Sequence, residues 1–225
     1  MEMRYSKGRT TPLQEKCLRK FLRFFPKGFA DPKYVAWERG YKWNAHVAWK
    51  RDLNKEEYER LLDAGEYSEI AQRAVKLETK TNLLFSFEKM ALRDAVKSKE
   101  GAKAFAKGLY GYVYGHAPMK ERFEGFSEVL SKLPVKQTRV HTWPLQTVFG
   151  FIADPKHHIF LKPRVTQEAA ENYGYEFEYR SKPNWETYQS LLTFAKQIKK
   201  DHPQLKPRDY IDLQSFIWVM GSAEY

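Results

Sequence analysis

Residues Arg139 to Arg164 read RVHTWPLQTVFGFIADPKHHIFLKPR, directly after a Leu133-Pro134 break. Thr142 is placed to cap a helix with Pro144 in its first turn, where a missing N–H costs nothing. Val148, Phe149, Phe151 and Ile152 form the buried side of that helix, and Asp154-Pro155 stops it. From His157 to Arg164 apolar anchors alternate with positive charge, and the next helix is expected around Thr166. A capped apolar helix, a sharp turn and a basic re-entry predict a helical protein.

Outward from this stretch the helical pattern continues. Thr11-Pro12-Leu13-Gln14 is a helix start, followed by Leu13, Cys17, Leu18, Phe21, Leu22 and Phe25 at helical spacing. Lys16, Arg19, Lys20, Arg23 and Lys27 fall largely on the other side. Asp31-Pro32 opens a second helix with a kink expected at Gly40, and Asn54 caps a third over Lys55 to Ala64. A long helix is predicted from Ser68 to Lys97, its centre at Leu83 to Leu92 apolar enough to be the central buried helix. Further helices are expected over Glu100 to Tyr114, Pro118 to Leu133, Thr166 to Tyr173, Asn184 to His202 and Asp209 to Met220. Tyr175 to Tyr179 alternates and predicts a short strand. About ten helical segments joined by Gly/Pro turns make an all-α globule, residues 1–225 as a single domain.

The 225 residues are 42% hydrophobic and 16% aromatic, which excludes a disordered chain. No run approaches the roughly 18 apolar residues of a membrane span, so no membrane association is expected. The first residues lack an apolar signal core, and the protein reads as intracellular and cytoplasmic. A single cysteine, Cys17, excludes a disulfide framework and a multi-cysteine zinc site. His157-His158 lacks a partner at helical spacing, so no metal site is expected, and no phosphate loop or dinucleotide glycine pattern implies a cofactor.

The net charge of +11 is uneven. Residues 1–51 hold thirteen Lys and Arg against four Asp and Glu, and residues 132–164 hold six against one. If the fold joins these blocks they make a positive face for a phosphate backbone; otherwise the charge serves solubility. The phosphate-binding candidates are Lys16, Lys20, Arg23, Lys136, Arg139, Lys162 and Arg164, with Trp43 or Trp143 to stack on a base. The aromatics of residues 33–51 have the competing reading of core packing. Glu88, in an apolar stretch, is either paired or raised in pKa and available as an acid or base. Asp212, sharing a face with Ser215, is either a hydrogen-bonding group at a helix start or a catalytic acid.

Leu133-Pro134, Thr142-Trp143 and the apolar helix leading to Ile159-Phe160-Leu161-Lys162-Pro163-Arg164 resemble one segment of the helix-hairpin-helix DNA glycosylases. That resemblance covers about 45 residues and implies an all-α DNA-binding architecture with a role in repair. The chain departs from it at the hairpin, where Val135-Lys136-Gln137 follows the proline. It departs again at Lys162-Pro163-Arg164, where the family places its catalytic acid. Thr81 to Ala95, Thr142-Trp143-Pro144, Phe160 to Pro163 and Asp212 to Trp218 are similar to a prokaryotic family of conserved hypothetical proteins, which implies no activity. The segment Asp212 to Val219 is also similar to helices in N-terminal modules of restriction-associated GTPases, the basis for a defence role.

These readings converge on a nucleic-acid-binding protein, with DNA ahead of RNA. Two other classes stay open: a non-enzymatic module binding an acidic protein partner, and a small-molecule enzyme with a buried pocket.

Overall fold

The computed structural model describes residues 10–225. Among them are twelve α-helices and no strand, arranged as a compact all-α globule. Helix α1 (Pro12–Phe24) begins with a complete capping box between Thr11 and Gln14. Then α2 (Pro32–Tyr34), a π turn (Val35–Arg39) and α3 (Gly40–Asp52) run on as one rod. The kink expected at Gly40 is this π turn. A Cβ at Gly40 would lie 2.9 Å from the Val35 carbonyl, so the extra residue is accommodated only where no side chain is present.

The rod is followed by α4 (Lys55–Asp63), α5 (Tyr67–Glu78), α6 (Ser86–Ala95), α7 (Lys99–Tyr114) and α8 (Met119–Lys132). The chain ends with α9 (Trp143–Ala153), α10 (Pro163–Tyr173), α11 (Trp185–Asp201) and α12 (Tyr210–Gly221). Every residue of α9 is buried, and it packs against α3, α5, α7 and α8. After α9 the extended segment Ile159–Leu161 is also buried. Its backbone N–H groups are satisfied by side chains: Tyr188 accepts from Ile159 at 3.1 Å and Thr147 from Leu161 at 3.0 Å. On the other side α12 packs on α1, α10 and α11.

Three local expectations are corrected. The helix predicted over Ser68 to Lys97 is two helices, broken at residues 79–85. Thr81 hydrogen-bonds the Glu78 carbonyl at 2.8 Å, the local competition by which Thr and Asn interrupt helices. The central buried helix is therefore α9, and Phe85, Phe87 and Met90 lie exposed. The strand predicted at Tyr175 to Tyr179 is an extended segment laid on α11: the N–H groups of Glu178 and Arg180 donate to Ser190 and Thr187, both at 3.1 Å. The helix expected around Thr166 starts at Pro163, which supplies the fixed backbone of a first turn.

Candidate functional site

Helix α1 turns Cys17, Leu18 and Phe21 into the core. That orientation sends Lys16, Arg19, Lys20 and Arg23 to the opposite side, at i, i+3, i+4 and i+7. With Glu171 and Asn172 of α10 they line an open groove of about 650 Å³. None of the four cations has an ion-pair partner among the described residues. Elsewhere on the surface such pairs are common, as in Arg60–Glu57 at 2.7 Å and Lys132–Glu128 at 2.5 Å. Cys17 also borders the groove. Burial pushes its thiol up to about 11, and it donates to the Asn172 carbonyl at 3.4 Å, so it is a packing residue and a poor nucleophile.

The other expected contacts divide. Lys136 and Arg139 are exposed in the 133–142 connection, which leaves α8, whereas α1 sits against α10 and α12. Arg164 projects into solvent with its side chain 91% exposed and pairs with Glu168 at 2.8 Å. Lys162 is turned inward: its Nζ donates to the Leu83 carbonyl at 3.0 Å and lies 3.4 Å from the centre of the Phe85 ring. Burial lowers its ammonium pKa, opposed by Glu88 and Glu78. It is not a surface phosphate grip. Trp143 is 1% exposed and donates to the Arg180 carbonyl at 2.8 Å, so it cannot stack on a base. Trp43 is 40% exposed, with Arg39 over its ring at 4.9 Å and His46 alongside.

Lys162 instead borders a second feature, a cleft of about 260 Å³ between the α2–α3 rod, the 79–85 connection and α12. Its walls are aromatic: Trp37, Tyr41, Phe85, Phe160 and Trp218. Its floor is polar and buried. Lys42 donates to Glu38 at 3.0 Å, to the Gln214 side-chain oxygen at 2.8 Å and to Ser215 at 2.9 Å, which occupies all three of its N–H groups. The Tyr225 hydroxyl donates to the other oxygen of Glu38. Buried charges of this kind persist only when paired in this way. Behind Lys162, Lys89 pairs with Glu78 at 3.5 Å.

The two candidate acids differ. Asp212 is wholly buried and holds a charge knot. One oxygen accepts from Tyr34 at 2.6 Å, from Arg39 at 2.9 Å and from Arg208 at 2.9 Å. The other accepts from the Arg208 backbone and side chain, both at 2.8 Å. Burial acts to raise this carboxyl, but the bonds from Arg208 and Tyr34 prevail and hold it below the usual carboxylate range. With both oxygens saturated, Asp212 is a structural anion. Glu88 accepts from the Phe85 N–H at 2.8 Å and so caps α6. Burial raises its pKa, against the Phe85 bond and the Lys162 charge.

Sequence reasoning missed Glu38, Lys42 and Gln214. The i, i+4 pairing of Glu38 and Lys42 was visible, but only the π turn and the contact with α12 take it out of solvent. Among the described residues no group of three or more His, Cys, Asp and Glu is placed to hold a metal ion, and no helix is long and apolar enough to cross a membrane. No family model, curated protein or solved structure matches the chain.

Proposed function

We propose that the protein binds nucleic acid, DNA ahead of RNA, and that the outer face of α1 carries the phosphate contacts. The observation that carries this reading is the set of four cations, Lys16, Arg19, Lys20 and Arg23, aligned on one groove without ion-pair partners among the described residues. From Lys16 to Arg23 the helix rises about 10 Å, roughly three phosphate-to-phosphate steps on one strand. The net charge of +11 adds long-range attraction to such a polymer. Lys136, Arg139 and Arg164 are peripheral contributors in this reading. A role in repair or defence rests on the resemblances described above.

Binding to labelled single- and double-stranded DNA and RNA across a salt series tests it. Four phosphate contacts give a slope of log K against log salt of about −3.6 on duplex and about −2.8 on single strands. The double variant Lys20→Ala/Arg23→Ala should weaken binding equally for all sequences and flatten the duplex slope by about two. An unchanged slope in that variant would remove α1 from the interface. Absence of salt-dependent binding at low ionic strength would refute the reading as a whole.

A further inference from the structure

The aromatic-walled cleft is not explained by phosphate binding, and its polar floor is oriented. Gln214 is 4% exposed, yet only one end of its amide is engaged. An ammonium has no acceptor, so the atom facing Lys42 must be the Gln214 oxygen, and the amide cannot be reversed. Its NH₂ group is then the end left without a protein partner, on a residue that lines the cleft. Lys162, also lining it, gives one N–H to Leu83 and keeps donor capacity. Gln214 and Lys162 thus both offer donors to the cleft, and a ligand bringing acceptors would satisfy them.

Charge narrows the class further. Lys42 is matched by Glu38 and Lys89 by Glu78; Lys162 has no ion pair among the described residues and only the more distant Glu88 charge beside it, while Glu224 stands at the rim. The lining holds two cations, Lys42 and Lys162, against two carboxylates, Glu38 and Glu224, a balance that favours a ligand neutral where it meets the floor. Walls of Trp37, Tyr41 and Trp218 suit a flat ring, since aromatic faces stack on one another, while Phe85 is already held between Lys162 and Phe87. Trp37 is 55% exposed, apolar area that a ring would cover. At about 260 Å³ the space falls just short of drug-sized pockets, which run from about 300 to 1,000 Å³, and fits one ring system.

We propose that this cleft is a binding site for a single neutral, planar heteroaromatic ring bearing at least one oxo group, the chemistry of uracil, thymine, guanine and cytosine as against adenine. The Gln214 amide and the Lys162 ammonium donate to the oxo groups, and Lys42 fixes the amide without touching the ligand. The ring belongs either to a free nucleoside or to an unstacked base of a strand. The site stands on its own observations and does not depend on the α1 face.

Calorimetric titration of the full chain with uridine, guanosine, adenosine and cytidine tests the free form. Oligonucleotides with one unpaired uracil or adenine test the strand form, in wild type and in Lys20→Ala/Arg23→Ala. Uridine, guanosine and cytidine are each expected to bind at least tenfold tighter than adenosine. Gln214→Glu keeps the Lys42 contact but presents an acceptor, and should abolish that preference; Lys162→Met should weaken oxo-ring binding about tenfold with the Phe85 contact retained. A preference seen only in oligonucleotides, lost in Gln214→Glu, assigns the site to a strand base. Equal affinity for all four nucleosides, or saturable binding of none together with no base preference in the oligonucleotides, overturns the proposal. So does an oxo preference that neither variant changes, and if Gln214→Glu does not fold, Lys162→Met decides. Loss of oligonucleotide affinity in the α1 variant with nucleoside binding intact separates the two sites.

Discussion

His158 should make the protein lose stability in mild acid, and the size of the effect follows from its surroundings. The imidazole is 1% exposed, meets the Tyr112 ring edge-on at 4.8 Å and has a single contact, Nδ1 to the Tyr112 hydroxyl at 3.2 Å. Its Nε2 has no partner. Burial pushes the pKa down from 6.5 to about 4, with Asp154 opposing and Arg122 and His157 reinforcing. Between those values the unfolded chain binds a proton that the folded chain refuses. The stability is thus intact above about pH 6.5 and is lost as pH falls toward 4. A gap of that size corresponds to about 3 kcal/mol in full, of which about 2 kcal/mol is gone by pH 5. His202, also lowered by burial, titrates in the same direction, so the effect must be isolated by subtraction. Urea unfolding of wild type and His158→Gln at pH 7 and pH 5 does this. The variant is less stable at pH 7, and the gap should shrink by about 2 kcal/mol at pH 5. Parallel pH curves, agreeing within about 0.5 kcal/mol, would show that His158 is solvated or protonated in the fold and refute the reasoning.

Arg39→Ala strips the buried carboxylates Asp209 and Asp212 of their shared partner, where Arg39 donates at 2.7 to 2.9 Å. Breaking a buried pair from one side should cost about 3–5 kcal/mol, read as a large fall in the urea midpoint with an unchanged m-value. Gly221→Ala should also destabilise, by about 1–3 kcal/mol or more, because the new Cβ would lie 1.9 Å from the Val165 carbonyl where α12 crosses α10. A thermal midpoint equal to wild type would mean the two helices separate at little cost. The α1 variant Lys20→Ala/Arg23→Ala, by contrast, should stay within about 0.5 kcal/mol per site of wild-type stability, so that its binding defect reports on the interface.

The helical architecture was legible because its signals are local. Thr11, Asn54 and Asn184 each accept from a backbone N–H at the start of their helix, as their positions in the sequence promise. Asp154-Pro155 ends α9 where an X-Pro pair forbids continuation. The break at residues 79–85 was harder to see, because an apolar run such as Leu83 to Leu92 reads alike whether it fills the core or faces solvent. Trp143 and Trp43 show the same limit: composition gives the ring, and only packing gives its exposure.

The sequence by itself determined the all-α class, most helix boundaries and the amphipathic split of α1, since capping and 3.6-residue periodicity act within a few residues. Tertiary structure alone decided which charges are buried. Lys162 belongs to a basic run in the chain, yet its ammonium lies against Leu83 and Phe85 from a segment about eighty residues earlier. Lys42 meets Gln214 and Ser215 across more than 170 positions. Such partners compensate desolvation only after the helices have packed, and no local pattern encodes them.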